Sequence, residues 1–275
     1  NQGKFGSCVG QAASGIKDHQ ETKEHGREIL TSPLFVYSEC KKIDGIPDTE
    51  GTYPRTAMKV LKNLGICREE TFPYELMADK KPPDTTANAK EEAKKFVISA
   101  YAQVQTIDEV KQAIMRDGPV MAGVLVVSNF LEPEPGGFIP MPEGYILGGH
   151  AIAITGWDNN LKHTYKNSYC GKTTFQGFFR ARNSWGASWG DNGYCWIPYD
   201  FFHGRLDIGM PYWMESWSSV DHVAIPPKGA KRIIVVPGQD HAIVDGVQIY
   251  LDQPAEINPK TGRTLVPLRF IAEYM

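Results

Sequence analysis

The chain changes texture once, near residue 120, and this change limits its fold more than any other feature. Before that point helix signals dominate. Cys8 to Lys23 follows a Gly-rich turn, Pro33 opens a segment running to Lys42, and Pro54 starts Arg55 to Asn63, which Gly65 closes. Thr106 followed by Glu109 is a capping box for Ile107 to Arg116, which Asp117-Gly118-Pro119 ends. The Lys-, Glu- and Ala-rich stretch Asn88 to Lys95 reads as one more solvated helix face. Beyond residue 120 the runs are short and β-rich: Val120 to Val127, His150 to Trp157, Phe178 to Arg182 and Tyr194 to Pro198, set apart by Gly, Pro and Asn. Helices followed by strands without alternation predict an α+β fold whose two halves face each other across a cleft.

Domain limits follow from the same texture. At 275 residues the chain has room for one large domain or two smaller ones, on a scale of roughly 150 residues each. Residues 1–217 read as the main domain and 218–229, with Pro226-Pro227-Lys228-Gly229, as a linker. Residues 230–275 read as a small β unit with strands at 233–236, 242–244 and 247–251. The absence of an initiator Met and of a leader, and the stop at Met275 inside an apolar pattern, are read as ends cut from a longer precursor.

Charge and cysteine content narrow the function classes. A formal charge of -3 argues against a nucleic-acid binder. The longest apolar stretch, Val120 to Val127, is far short of the roughly 18 to 20 residues that span a bilayer, so no membrane span is expected. Cys8, Cys40, Cys67, Cys170 and Cys195 form no C-x-x-C pair, so neither a zinc site nor any other metal or cofactor is expected. Their number is odd, so at least one thiol stays outside any intramolecular disulfide.

One thiol stands out by position. Cys8 falls at the first turn of a helix, where free backbone N–H groups favour a thiolate, so its pKa is expected to fall. Gln2, six residues upstream, is a neutral donor that can face a developing oxyanion together with the Cys8 N–H. A thiolate nucleophile needs an imidazole to hold the ion pair and to protonate the leaving amine. Six of the seven histidines, His19, His25, His163, His203, His222 and His241, sit in polar or loop contexts that read as solvated. His150 follows Gly148-Gly149 and opens an apolar strand, where its ring can project into a cleft. Asn183, in Asn183-Ser184-Trp185-Gly186, can accept from one ring nitrogen and leave the other facing sulfur, with a tryptophan shielding the bond.

These residues resemble the papain-like cysteine peptidases, whose order Gln, Cys, His, Asn is matched by Gln2, Cys8, His150 and Asn183. Trp189-Gly190, Asn192-Gly193-Tyr194, Tyr53-Pro54, Phe72-Pro73-Tyr74 and Gly118-Pro119-Val120 are smaller echoes of the family, and the resemblance covers about residues 1 to 217. It implies a two-lobed fold, with a helical left lobe and a β-barrel right lobe, and a cysteine endopeptidase acting on peptides or proteins. Cys8 would be the nucleophile, His150 the acid and base, Asn183 its orienter and Gln2 an oxyanion donor, with a thioester acyl-enzyme on the path. Gly51, Thr52, Tyr53 and Gly149 would bind substrate. Val9 replaces the family's tryptophan after the nucleophile, Phe5 replaces a cysteine, so the first disulfide is absent, and Thr52 and Gly149 stand where glycine and aspartate are usual. About Asn159 to Gln176, with Cys170, is expected to be an exposed loop inserted between His150 and Asn183.

The run Ala242 to Gly246 together with Gly262 to Glu273 resembles the small domain named after the copper amine oxidase N-terminus. About half of such a domain is present, and its name implies no copper here. That resemblance implies a bacterial or phage source, a secreted or cell-surface protein, and surface attachment through this unit. Two other readings stay open: a papain-like binding module without activity, and an acyl transferase of transglutaminase type.

Overall fold

The computed structural model describes residues 1–166 and 173–221, together with 233–235, 241–244, 247–251, 256–257 and 264–265. Cys170, His222 and the Pro226-Pro227 segment lie outside the described residues. The chain divides into two compact units, Asn1–Asp221 and His222–Met275.

In the first unit, α1 (Cys8–His25) begins after Ser7 and stops at Gly26, whose left-handed φ of 64° closes the last turn. Ser32 caps α2 (Pro33–Lys41) by accepting from the Phe35 N–H, with Pro33 in the first turn, and Pro54 opens α3 (Pro54–Asn63). α1 and α2 cross where Gly10 has no side chain; a Cβ there would lie 2.5 Å from the Pro33 carbonyl oxygen. α4 (Ala87–Ala93) and β1 (Ala100–Gln103) follow. The expected capping box of α5 (Ile107–Asp117) is present in both directions.

The second half supplies β2 (Val120–Val127), β3 (Ile146–Tyr165), β4 (Thr173–Arg182), β5 (Tyr194–Pro198), the short α6 (Asp200–His203) and β6 (Trp213–Val220). These five strands and β1 form one antiparallel sheet of order β1-β6-β2-β3-β4-β5. Every residue of β2 is buried because both faces of the sheet are covered. Met121, Ala151 and Ala153 pack with α1 to α3, whereas Val120, Ala122, Val124, Ile152 and Ile154 pack with α5, Phe179 and Trp213. The period-2 alternation thus assigns neighbouring residues to two different cores.

The two-lobed α+β expectation holds, but the right lobe is not a hydrogen-bonded ring. Among the described residues β1 pairs only with β6, and the outer edge of β5 is taken by Gly137 and Ile139, which exchange backbone bonds of 2.8 and 2.9 Å with Trp196. A loop therefore covers the edge that a closing strand would occupy. The expected loop over Asn159 to Gln176 is instead a hairpin arm in its described part, with Lys162 to Tyr165 paired to Thr173 to Gln176. His163, read as solvated, is half-buried there, stacked on Phe138 at 3.9 Å and bonded to Glu134 at 2.8 Å.

In the second unit, β7 (Ile233–Val235), β8 (His241–Val244) and β9 (Val247–Tyr250) form an antiparallel sheet in which Ala242 and Ile249 are buried, and β10 (Glu256–Ile257) pairs with β11 (Thr264–Leu265). Among the described residues no helix is long and apolar enough to cross a membrane.

Candidate active site

The first residue of α1, Cys8, meets β3 at His150-Ala151 along an open groove of about 310 Å3. Gly51, Thr52 and Tyr53 form part of its wall, and Gly149 and Met214 another part. Five of the residues singled out beside Cys8 therefore line one surface. Gly6 allows the close approach; a Cβ there would sit 2.9 Å from the Gly51 nitrogen, so the loop before α3 rests against the segment leading into Cys8.

Asn183 and Gln2 stand outside the groove lining but are tied to it. Asn183 Oδ1 lies 2.7 Å from His150 Nε2 and accepts from the Ser184 N–H at 2.8 Å. An oxygen fixed as acceptor by the backbone takes the ring proton on Nε2 and leaves Nδ1 as the basic nitrogen. Trp185 stacks on His150 with ring centres 4.7 Å apart, itself edge-on to Phe130 and Trp189. Asn183 Nδ2 is buried with no partner among the described residues, so this side chain serves the imidazole at the expense of its own amide nitrogen.

Gln2 is held at both ends. Its N–H donates to the Ser184 carbonyl at 2.9 Å, Ser184 Oγ donates to its Oε1 at 2.5 Å, and its Nε2 donates to the Phe5 carbonyl at 2.8 Å. One Nε2 hydrogen remains for another acceptor. Ser184 thus fixes Gln2, a contact that the sequence did not single out; its position directly after Asn183 was the available signal.

The electrostatics differ from the helix-terminus expectation. Burial pushes the Cys8 thiol above its ordinary pKa, and the N–H groups of Ala151, Val9 and Cys8 itself offset this only in part. Burial likewise pulls His150 down to about 4, against the pull of Asn183. Each charge alone is penalised by desolvation. The N–H groups at the start of α1 therefore do not by themselves hold Cys8 as a thiolate. Burial also pushes Cys67 and Cys195 up to about 12. All four described cysteines are free.

Backbone groups divide the groove edge. The Gly51 N–H donates to Tyr37 Oη at 3.3 Å and its carbonyl accepts from Lys41 Nζ at 3.0 Å, so both point inward. The N–H and C=O of Thr52 have no backbone partner among the described residues, and its hydroxyl is buried beside Asp44 and Cys40 rather than narrowing the groove. The charged side chains at the groove are Glu50 and Glu215. Sequence reasoning missed Glu215 and Met214, which reach the groove only through the pairing of β6 with β2. Glu21, Glu24 and His25 bring three potential metal-ligand atoms within 4.8 Å on α1, but Glu21 is already paired with buried Lys17.

This is a papain-like α+β fold with a cysteine and a histidine in one groove. A model of papain family cysteine proteases matches residues 1–204. The chain belongs to the papain family of cysteine (thiol) proteases. It is 30% identical over 230 residues to an uncharacterized peptidase C1-like protein of Acanthamoeba polyphaga mimivirus, covering 78% of this chain and 68% of that protein. It is 28% identical to cathepsin J of Rattus norvegicus over 73% of this chain and 56% of the relative, so the chain spans little more than half of that protein. Among solved structures it resembles xylellain, a cysteine protease from Xylella fastidiosa, at 25% identity and a TM-score of 0.63, covering 81% of this chain and 82% of that one. A model of the copper amine oxidase N-terminal domain matches residues 191–275, which takes in the second unit.

Proposed function

We propose that the chain is a cysteine endopeptidase in which Cys8 attacks a peptide carbonyl. The observation that carries this reading is the 2.7 Å bond from His150 Nε2 to Asn183 Oδ1 beside a groove shared by His150 and Cys8. Nδ1 takes the thiol proton as sulfur bonds to the carbonyl carbon, and the Cys8 N–H and the remaining Gln2 hydrogen receive the oxyanion. Collapse expels the amine, protonated by the imidazolium, and leaves a thioester. Water, deprotonated by His150, then releases the acid and restores the thiol.

Incubation with an internally quenched peptide blocked at both termini tests the proposal. Cleavage by the wild type and none by Cys8→Ala is the expected result. Failure to cut any blocked peptide, with rapid Cys8 alkylation retained, overturns it in favour of a binding module, and transfer of the acyl group to an added amine in preference to water favours an acyl transferase.

A further inference from the structure

We propose that Lys41, the last residue of α2, is a positioning residue that fixes the substrate edge of the groove. The inference rests on the peptidase reading above. The segment between α2 and α3 holds Gly45, Pro47 and Gly51 and has no regular structure; the Ile46 carbonyl accepts from the Thr49 N–H at 3.1 Å, whereas those of Thr49 and Gly51 have no backbone donor among the described residues. Lys41 gathers all three. Its Nζ lies 2.6 Å from the Ile46 oxygen, 2.7 Å from that of Thr49 and 3.0 Å from that of Gly51, and it pairs with the Asp44 carboxylate at 2.9 Å. Three N–H donors are thus spread over four oxygens in a place nearly closed to water, with the Lys41 and Asp44 side chains 7% and 0% exposed. Asp44 balances the charge and also accepts from the Ile46 N–H, so the turn is held from both signs.

The consequence appears one residue further on. With the Gly51 carbonyl held by Lys41 and its N–H by Tyr37, Thr52 presents at the groove wall a backbone N–H and C=O that have no backbone partner among the described residues. An extended peptide binds such an edge as an added strand, and its affinity depends on the edge holding one position. The same loop touches the approach to Cys8 through Gly6. Among the described residues no disulfide anchors this loop, so the ammonium is its cross-link. None of the Lys41 hydrogen bonds reaches Gln2, Cys8, His150 or Asn183.

The test compares two alkylation rates at Cys8 in the full chain: that of iodoacetamide, which uses no groove, and that of a peptidyl chloromethyl ketone long enough to cross Thr52. The wild type should prefer the peptidyl reagent. Lys41→Met keeps the apolar stem and removes the charge; its iodoacetamide rate should stay within about twofold, while its peptidyl rate should fall roughly 10- to 10²-fold, the range for a misplaced binding element. Lys41→Arg keeps the cation but cannot aim three donors from one nitrogen, and should fall less. Wild-type preference retained in Lys41→Met, or an equal fall in both rates, overturns the proposal. Should Lys41→Met not fold, Lys41→Arg decides: a lowered peptidyl preference supports the role and an unchanged one overturns it. A wild type without peptidyl preference instead overturns the peptidase reading itself.

Discussion

Cys8 and His150 are each buried enough that a lone charge on either is unfavourable, and this makes their protonation measurable through stability. With His150 held to about 4 in the fold and near 6.5 in the unfolded chain, the unfolded state binds more protons between those values. Burial of the neutral ring then costs nothing above the unfolded value, and stability falls as pH drops from about 6.5 toward 4, by about 3 kcal/mol in full. The difference in unfolding free energy between the wild type and His150→Gln should therefore shift against the wild type by about 2 to 3 kcal/mol between pH 7 and pH 4. No shift on denaturant titration at the two pH values would mean that the imidazole is already charged by a resting thiolate. Gln2 offers a kinetic counterpart. Gln2→Ala should lower kcat by roughly 10² to 10³ with little change in KM, as for loss of one oxyanion donor. Ser184→Ala frees Gln2 Oε1 and should lower kcat by a smaller factor, about 3 to 10. Because Ser184 acts through Gln2, the double variant should be no slower than Gln2→Ala alone, and additive losses would separate the two residues.

Elements declared by local chemistry were legible before the structure. Proline at the first turn of α2 and α3, the Thr106–Glu109 box of α5 and the unbroken apolar run of β2 each reflect forces acting within a few residues. The motif residues Cys8, His150 and Gly51 to Tyr53 could likewise be named, because their order along the chain is itself the signal. What escaped depends on pairing across long separations. The arms 162–165 and 173–176 carry Lys, His, Thr and Gln enough to read as a loop, and become strands because Thr164 faces Thr174 at 2.7 Å while Tyr165 bonds to the Ile139 carbonyl. The open edge of the sheet escaped for the same reason, since Gly137 to Ile139 carry no strand pattern of their own. Lys41 was invisible because Glu39-Cys40-Lys41-Lys42 reads as a charged helix end, whereas the fold turns one of its two lysines inward onto three carbonyls. Burial of a charge is a property of what folds over it, not of its neighbours in sequence.

The first unit is completed by its last few residues. β6 continues through Ser218, Ser219 and Val220, which pair with Ala102, Tyr101 and Ala100 of β1, and the division between the units falls after Asp221. That aspartate lies 2.5 Å from Nζ of Lys17, a lysine with no exposed side-chain surface in the middle of α1, whose other partner is Glu21 at 2.5 Å. Gln20, also on α1, donates to the Ser219 carbonyl at 2.9 Å. The helix that carries Cys8 is therefore fastened at mid-length to the end of the sheet. A chain of residues 1–221 should cleave the blocked peptide with kcat/KM within about twofold of the 275-residue chain, since no proposed site residue lies beyond it. A chain of residues 1–217 keeps only the Gln103–Trp217 pair of the four that join β1 to β6 and strands the Lys17 charge with one partner, and should be less stable by roughly 3 to 5 kcal/mol, the cost of opening a buried ion pair. Denaturant unfolding of the two shortened chains, with kcat/KM measured on each, decides the matter: equal stability would mean that Lys17 needs only Glu21, and a tenfold fall in kcat/KM for residues 1–221 would mean that the second unit contributes to the groove.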